Sequence, residues 1–321
     1  MDVIVRGRTM LTFILVDYKS AEATVKCVSH YVEKCQNAKQ QISFVVVDNS
    51  VDEENFKNLS NAWEQVSQSE YEGSVLEEKK IAGCRLFLWK NTSNAGYAKG
   101  NNAGAKIAAE FLDSDFFVFS NNDLLVLDSE LSLDLLVQEA SLPQVAAIGP
   151  SIVGKKSESQ NPYCERSFFL RWGLEYLCYP FSSCLPKKWK SGDLIEKFEK
   201  NPVFRVMGSF LLIARKKFEE VDGFDPNTFL FAEEMILSKK LQARGYETHF
   251  VPSVHLLHNH SEIIGKKYDY SRKLMLRFES EAYYYRTYAG VGPLQIAVVR
   301  LILKSYIIRK KFAKMLKSLI K

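Results

Sequence analysis

The chain has 321 residues, 46% hydrophobic and 12% aromatic, enough to bury the core of one large domain or two ordinary ones. Its net charge of +5 is unevenly placed: residues 282–321 hold nine lysines and arginines and no acid, leaving the remainder at −4 by subtraction. A mildly acidic body argues against nucleic acid as partner, and a basic end points to a local contact with an anionic surface.

Strand-like and helix-like segments alternate up to about residue 150, the mark of βαβ units and an α/β fold with a mainly parallel sheet. LTFILV (11–16) is the first strand, and residues 20–35 follow with Val25, Val28, Tyr31 and Val32 at helical spacing behind a capping serine. ISFVVVDNS (42–50) is the second strand, and a charge-rich stretch from 52 to about 70 suits a helix. CRLFLW (84–89) is the third strand, NAGYAKGNNAGAKIAAEFL (94–112) a glycine-rich turn opening a helix, and DFFVFS (115–120) the fourth strand. VAAIGP (145–150) closes this half. Polar residues recur at strand ends, at 17, 48, 91–94 and 121–123, and would gather on the carboxyl rim where open α/β sheets bind ligands. Residues 151–202, with four prolines and a cluster of aromatic and basic residues, predict loops and short helices. VFRVMGSFLLIARKKFEEV (203–221) predicts a strand pair or a strand-to-helix passage. Residues 223–246 predict a turn and an amphipathic helix, and ETHFVPSVHLLHNH (247–260) a strand entering a histidine-rich loop.

Six cysteines without a CxxC pair specify neither a zinc site nor a disulfide framework, so reduced thiols are expected. Residues 1–10 lack a leader-like apolar stretch, and no run reaches about eighteen apolar residues. The expectation is a protein that works on the cytoplasmic side.

Each polar rim segment admits two readings. Asp48, ending VVVD, either caps the next helix or accepts hydrogen bonds from a nucleobase edge. Asn94, Gly96, Asn101 and Asn102 make a turn where backbone can approach a ligand and a helix N-terminus can face negative charge. Asn121, Asn122 and Asp123 form either a simple turn or a site where one carboxylate holds Mg²⁺ or Mn²⁺ beside a diphosphate. Glu233 and Glu234 either complement a helix dipole or supply a general base. His255, His258 and His260 add candidate metal or phosphate contacts.

Taken in order, VVVDNS (45–50), NAGYAKGNN (94–102), FVFSNNDLLV (117–126), MGSFLLIARKKFEEVDGFD (207–225), FLFAEEMILSKKLQARGY (229–246) and VPSVHLLHNHS (251–261) resemble the family 2 glycosyltransferases of GT-A fold. The resemblance is strongest to their rhamnosyltransferase-like branch. It implies a catalytic domain over 1–265, with its nucleotide-sugar half at about 10–150 and its acceptor and base half at about 151–265, followed by a basic amphipathic helical tail over 266–321. It also implies a metal-dependent, inverting transfer of sugar from a nucleoside-diphosphate donor, dTDP-rhamnose or a UDP-sugar. The acceptor would be a hydroxyl of a growing bacterial surface polysaccharide or a polyprenyl-diphosphate-linked oligosaccharide. By the same resemblance Asp17, Asp48, Asn94, Gly96, Asn102 and Asn122 contact the nucleotide sugar, and Asp123 and His258 bind the metal. Gly208 and Asp225 lie on the acceptor side, and Glu234, paired with Glu233, is the catalytic base.

Two departures from the family pattern stand out. Asn121 occupies the first acidic position of the Asp-x-Asp motif, which leaves Asp123 as its only carboxylate. Glu234 is one methylene longer than the usual aspartate, and Ile236 stands where a second aspartate is often found. These changes keep open a catalytically weakened nucleotide-sugar-binding homologue, although the filled metal, nucleotide and base positions favour an enzyme. Wound as a helix, residues 290–321 place Val298, Leu301, Ile308, Phe312, Met315, Leu316 and Leu319 on one face. Arg300, Lys304, Lys310, Lys311, Lys314, Lys317 and Lys321 fall on the other. Such a helix suits either an anionic membrane surface, with the protein peripheral on the inner face of the cell membrane, or its own catalytic domain with the lysines in solvent.

Overall fold

The computed structural model describes residues 8–190, 192–259 and 269–319. His260 and Lys321 lie outside the described residues, as do the side chains of Lys314, Leu316, Lys317 and Leu319.

The centre of the molecule is a run of buried parallel strands. β1 (Met10–Asp17), β2 (Gln41–Asp48), β5 (Cys84–Lys90) and β6 (Phe116–Ser120) read as near-continuous apolar segments because helices cover both of their faces. On one face α1 (Ala21–Lys34) and α4 (Leu133–Ala140) bury Val28, Tyr31, Leu133 and Leu136 against Leu11, Phe13, Phe44 and Val46. On the other, α3 (Gly96–Phe111) buries Ala98, Ala105, Ile107 and Ala108 against Ile14, Val45 and Val47. Each fully buried Val, Leu, Ile or Phe contributes about 1.5–3 kcal/mol, so this core can support a rim that is polar.

The chain then builds outward in both directions. β3 (Glu64–Tyr71) and β4 (Ser74–Ile81) add an antiparallel edge after α2 (Glu53–Ser60). Here the expected helix from 52 to about 70 stops at Ser60. The cause is local: Glu72 and Gly73, then Ala82 and Gly83, all take positive φ in two-residue turns between paired strands, the geometry that hairpins favour. On the far side lie β7 (Leu124–Val126), β8 (Val145–Gly154), β9 (Phe210–Ala214) and β10 (Glu247–His258), with α7 (Arg215–Glu219) and α8 (Glu233–Ala243) between the last two. The resulting ten-stranded sheet has the order β3-β4-β5-β2-β1-β6-β9-β8-β10-β7. Parallel pairing joins β5, β2, β1 and β6 and recurs between β8 and β10, while the remaining pairs are antiparallel. The expected passage over 203–221 is a strand followed by a helix, β9 then α7.

Residues 151–202 hold two short helices, α5 (Phe168–Trp172) and α6 (Leu174–Leu177), as the prolines imply. Two long helices follow the sheet, α9 (Tyr270–Tyr288) and α10 (Pro293–Leu319). They share an apolar cluster with Phe168, Trp172, Phe204, Met235 and Ile236. A buried ion network locks α9 in place. Glu281 accepts from Arg171 Nε at 2.8 Å and Nη2 at 2.9 Å and from Arg277 Nε at 2.8 Å, and Asp193 bridges Arg171 at 2.8 Å to Arg205 at 2.7 Å. Against the effect of burial, Arg171 and Arg277 hold the Glu281 carboxyl down to about 2.

Candidate active site

Strand register lines up the carboxyl ends: Asp17 of β1 lies beside Asp48 of β2, which lies beside Lys90 of β5. Asn55 of α2 joins the two aspartates, its Nδ2 donating to Asp17 Oδ1 at 2.7 Å and to Asp48 Oδ1 at 3.0 Å. Asp48 is fully buried, and its Oδ2 takes no hydrogen bond among the described residues. Burial pushes its carboxyl up, opposed by hydrogen bonds from Ser50. Asp17 spends its oxygens on protein donors, Ser20 Oγ at 2.9 Å, Thr24 Oγ1 at 2.5 Å and Asn55, so it ties the rim together.

Asn49, which sequence reasoning did not single out as a site residue, organises the neighbouring turn. Its Nδ2 donates to Gly96 O at 3.2 Å and Asn94 Oδ1 at 3.4 Å, and its Oδ1 accepts from Asn91 Nδ2 at 2.8 Å. Asn94 in turn accepts from Gly96 N at 3.2 Å. Gly96 sits at φ +84°, and a Cβ there would run into the Phe229 carbonyl, so this turn requires glycine. Asn102 clamps the 223–225 loop by bonding Phe224 N at 3.0 Å and Phe224 O at 2.8 Å. A cavity of about 730 Å³ opens beside the rim, lined by Val51, Glu53, Ser69, Lys90 and Asn91.

The SNND segment is a junction in which every residue has work. Ser120 Oγ bonds Tyr31 Oη at 2.7 Å, and Asn121 N donates to Ser209 O at 2.8 Å. Asn122 turns inward, donating to Ser20 Oγ at 2.8 Å and Thr24 Oγ1 at 2.7 Å. Asp123 O accepts from Asn259 N at 2.8 Å, which continues the β7–β10 ladder and brings Asp123 against the end of β10. Asp123 Oδ1 then lies 3.1 Å from His258 Nε2. His258 Nδ1 faces Gln160 Oε1 at 2.8 Å. An amide oxygen only accepts, so Nδ1 carries a proton, and Nε2 is the ring atom turned toward Asp123. A carboxylate oxygen and an imidazole nitrogen at this separation can share a proton, and the same two atoms could serve as ligands to a divalent metal. Asp123 and His258 would supply two ligands, of which the carboxylate is the one that suits Mg²⁺ or Mn²⁺, and among the described residues no three His, Cys, Asp or Glu side chains are grouped to hold a metal ion. His255 is exposed and bonds Asp128, so it stands apart from this pair.

Glu233 and Glu234 open α8 directly after two residues held at positive φ, Phe231 at 74° and Ala232 at 71°. Bulky Phe231 rarely adopts that conformation, and the chain just before it is fixed by Tyr97 N donating to Phe229 O at 3.0 Å. Glu233 is 3% exposed, and burial, then the adjacent Glu234, pushes its pKa up from 4.5 to about 8. Glu234 is half-buried and receives Gly208 N on Oε1 at 2.8 Å. Gly208 has no room for a side chain, since a Cβ would overlap Glu234 Oε1. Tyr97 Oη donates to Gly208 O at 2.7 Å; burial and the Glu234 and Glu233 charges push its hydroxyl far up, so it remains a donor. Asp225 accepts from Tyr283 Oη at 2.9 Å, Tyr288 Oη at 2.5 Å and Asn227, which anchors the loop between α7 and α8 to α9.

The fold is that of the GT-A glycosyltransferases. A mannosyltransferase from Pyrobaculum calidifontis, solved with GDP-Man and Mn²⁺, matches with a TM-score of 0.55 over 95% of this chain and 76% of that one, at 14% identity. Among curated proteins the chain is similar to rhamnosyltransferases. It is 30% identical over 138 residues, 42% of this chain and 44% of the relative, to the N-acetylglucosaminyl-diphospho-decaprenol L-rhamnosyltransferase of Mycobacterium tuberculosis. It is 22% identical over 168 residues, 51% of this chain and 60% of the relative, to rhamnosyltransferase WbbL of Escherichia coli. The chain thus spans about half the length of the curated relatives it matches. No family model matches it. These likenesses agree with the rhamnosyltransferase-like resemblance read from the motifs.

Proposed function

We infer that the chain is a metal-dependent, inverting glycosyltransferase that moves a sugar from a nucleoside-diphosphate sugar to a hydroxyl of a growing bacterial surface glycan. The observation that carries this reading is the meeting of Asp123 and His258, 3.1 Å apart, on the rim that also holds Asp48 and Glu234. The names of the relatives favour dTDP-rhamnose, ahead of a UDP-sugar, as donor and a polyprenyl-diphosphate-linked oligosaccharide as acceptor. That acceptor would place the protein on the cytoplasmic face of a membrane.

Each residue then has a task. Asp48 accepts from the nucleobase through the oxygen that lacks a partner, with the Asn49-organised turn of Asn94 and Gly96 along the nucleotide. Asp123 and His258 would hold the divalent ion, which, when bound, offsets charge gathering on the departing diphosphate. Gln160 fixes the ring of His258. Glu234, held at one oxygen by Gly208 N, takes the proton from the acceptor hydroxyl with the other. That hydroxyl oxygen attacks the anomeric carbon opposite the diphosphate; one C–O bond forms as the other breaks, and the configuration inverts. Glu233 stays protonated near neutral pH and does not compete as base.

The test is a panel of dTDP-, UDP- and GDP-sugars titrated with and without Mn²⁺, followed by nucleoside diphosphate release with acceptor extracts. Glu234→Gln should lower transfer by roughly 10²–10⁴-fold while preserving donor binding. Asp123→Ala should weaken donor binding only where it depends on metal. Donor binding without release under every condition would favour the weakened homologue, and undiminished transfer in Glu234→Gln would place the base elsewhere.

A further inference from the structure

The C-terminal helix carries two apolar faces, and the protein covers one of them. Ile296, Val299, Leu303 and Tyr306 of α10 are buried against the body. Leu294, Val298, Leu301, Ile308, Phe312 and Met315 are exposed, Leu294 by 76% and Ile308 by 67%. At 3.6 residues per turn these six fall within an arc of roughly 100° on the side away from the buried face. Exposed Lys304 and Lys311 line one edge of the stripe. Arg309 fixes the helix against its neighbour, donating to the carbonyls of Tyr176 at 2.7 Å, Leu177 at 3.3 Å and Tyr179. The segment so clamped displays exposed Leu177, Phe181 and Trp189.

We propose that the outer stripe of α10, together with Leu177, Phe181 and Trp189, is a docking face for an anionic lipid bilayer. Charge selects this occupant. Residues 282–321 hold nine cations and no acid, so a second copy would set like charge against like charge, whereas anionic headgroups complement it. Shape agrees: the stripe is a convex row of single aliphatic side chains, suited to the headgroup and acyl boundary, and tryptophan is at home at that depth. No helix among the described residues is long and apolar enough to cross a membrane, so α10 would lie in the surface plane. The inference rests on the proposed function only for its purpose, delivery of the site to a lipid-linked acceptor, and its test involves no sugar.

The experiment is flotation of the full chain with vesicles of phosphatidylglycerol and phosphatidylcholine, or of phosphatidylcholine alone, at low and high salt. Binding to the anionic vesicles should exceed binding to the neutral ones and fall with salt. Lys304→Gln with Lys311→Gln should weaken it about 30-fold. Leu301→Asp with Ile308→Asp should weaken it at least about tenfold with an unchanged melting temperature, and Phe181→Ser with Trp189→Ser should weaken it independently. The proposal is overturned if the full chain ignores anionic vesicles, if the stripe variant binds as the parent does, or if sedimentation shows a dimer that the stripe variant dissolves. Nucleoside diphosphate release by the stripe variant from a soluble acceptor reads the proposed function separately.

Discussion

Replacing Glu233 by glutamine should stabilise the protein increasingly as pH rises. The carboxyl is buried at the start of α8, its Oε1 takes no hydrogen bond among the described residues, and the groups facing it are the Glu234 carboxylate and the Tyr97 hydroxyl. In the unfolded chain the group ionises near 4.5, but in the native protein it keeps its proton to about 8. A raised native pKa on an acid works against folding: nothing is lost below the unfolded value, and stability falls as pH climbs from there to the native value. That gap, at about 1.4 kcal/mol per pH unit, amounts to about 3–5 kcal/mol by pH 8. Glutamine keeps the shape and cannot ionise, so it removes the loss. Urea unfolding of parent and variant at several pH values between 5 and 8 measures the difference. Curves that stay parallel would refute a protonated Glu233.

Three further outcomes follow from the same contacts. Gly208→Ala should displace Glu234 and lower kcat on the order of a hundredfold with little change in donor KM; a purely structural glycine would instead lower the folded fraction and leave kcat per folded molecule intact. Gln160→Leu should cost roughly 10–100-fold in Mn²⁺ affinity, read by calorimetry in the presence of nucleoside diphosphate, because His258 loses the acceptor that fixes its ring. Glu281→Ala should cost about 3–5 kcal/mol in chemical denaturation, since Arg171 is left buried and short of a partner. In the parent, Glu281 is held at about 2, so its contribution is present above the ordinary glutamate range and is lost as pH falls toward 2.

The central sheet was legible because strands covered on both faces must be apolar throughout, and their polar ends then mark the rim. β3 was not legible, because it is exposed on nearly every residue and so carries no alternation; the paired turns Glu72–Gly73 and Ala82–Gly83 were its only local trace. Asp17, Asn102 and Asp225 show a different limit. The resemblance assigns Asp17 and Asn102 to the nucleotide sugar and Asp225 to the acceptor side, but only contacts reveal that Asp17 holds α1 and α2, Asn102 holds Phe224 and Asp225 holds two tyrosines of α9. Gln160 and Asn49 escaped notice for the same reason, being ordinary polar residues until folding sets them beside His258 and Gly96. In the tail, helical projection grouped Val298, Leu301, Ile308, Phe312 and Met315, which are exposed, while Leu316 and Leu319 of the same group lie outside the described side chains. It missed the face that packs, Ile296, Val299, Leu303 and Tyr306, because the lysines draw attention to only one of two apolar sides.

Arg171, Asp193 and Glu281 join the irregular middle of the chain to α9, and Tyr283 and Tyr288 on that same helix grip Asp225 next to the catalytic turn. A protein cut after residue 265 would therefore lose the partners of Arg171 and Asp225 that α9 supplies. The reverse also holds: because α10 packs through Ile296, Val299, Leu303 and Tyr306 on the cluster that includes Met235 and Ile236 of α8, whatever α10 settles on is tied through that cluster to the helix that Glu233 and Glu234 open, in the way a lens is held at fixed tilt above a stage.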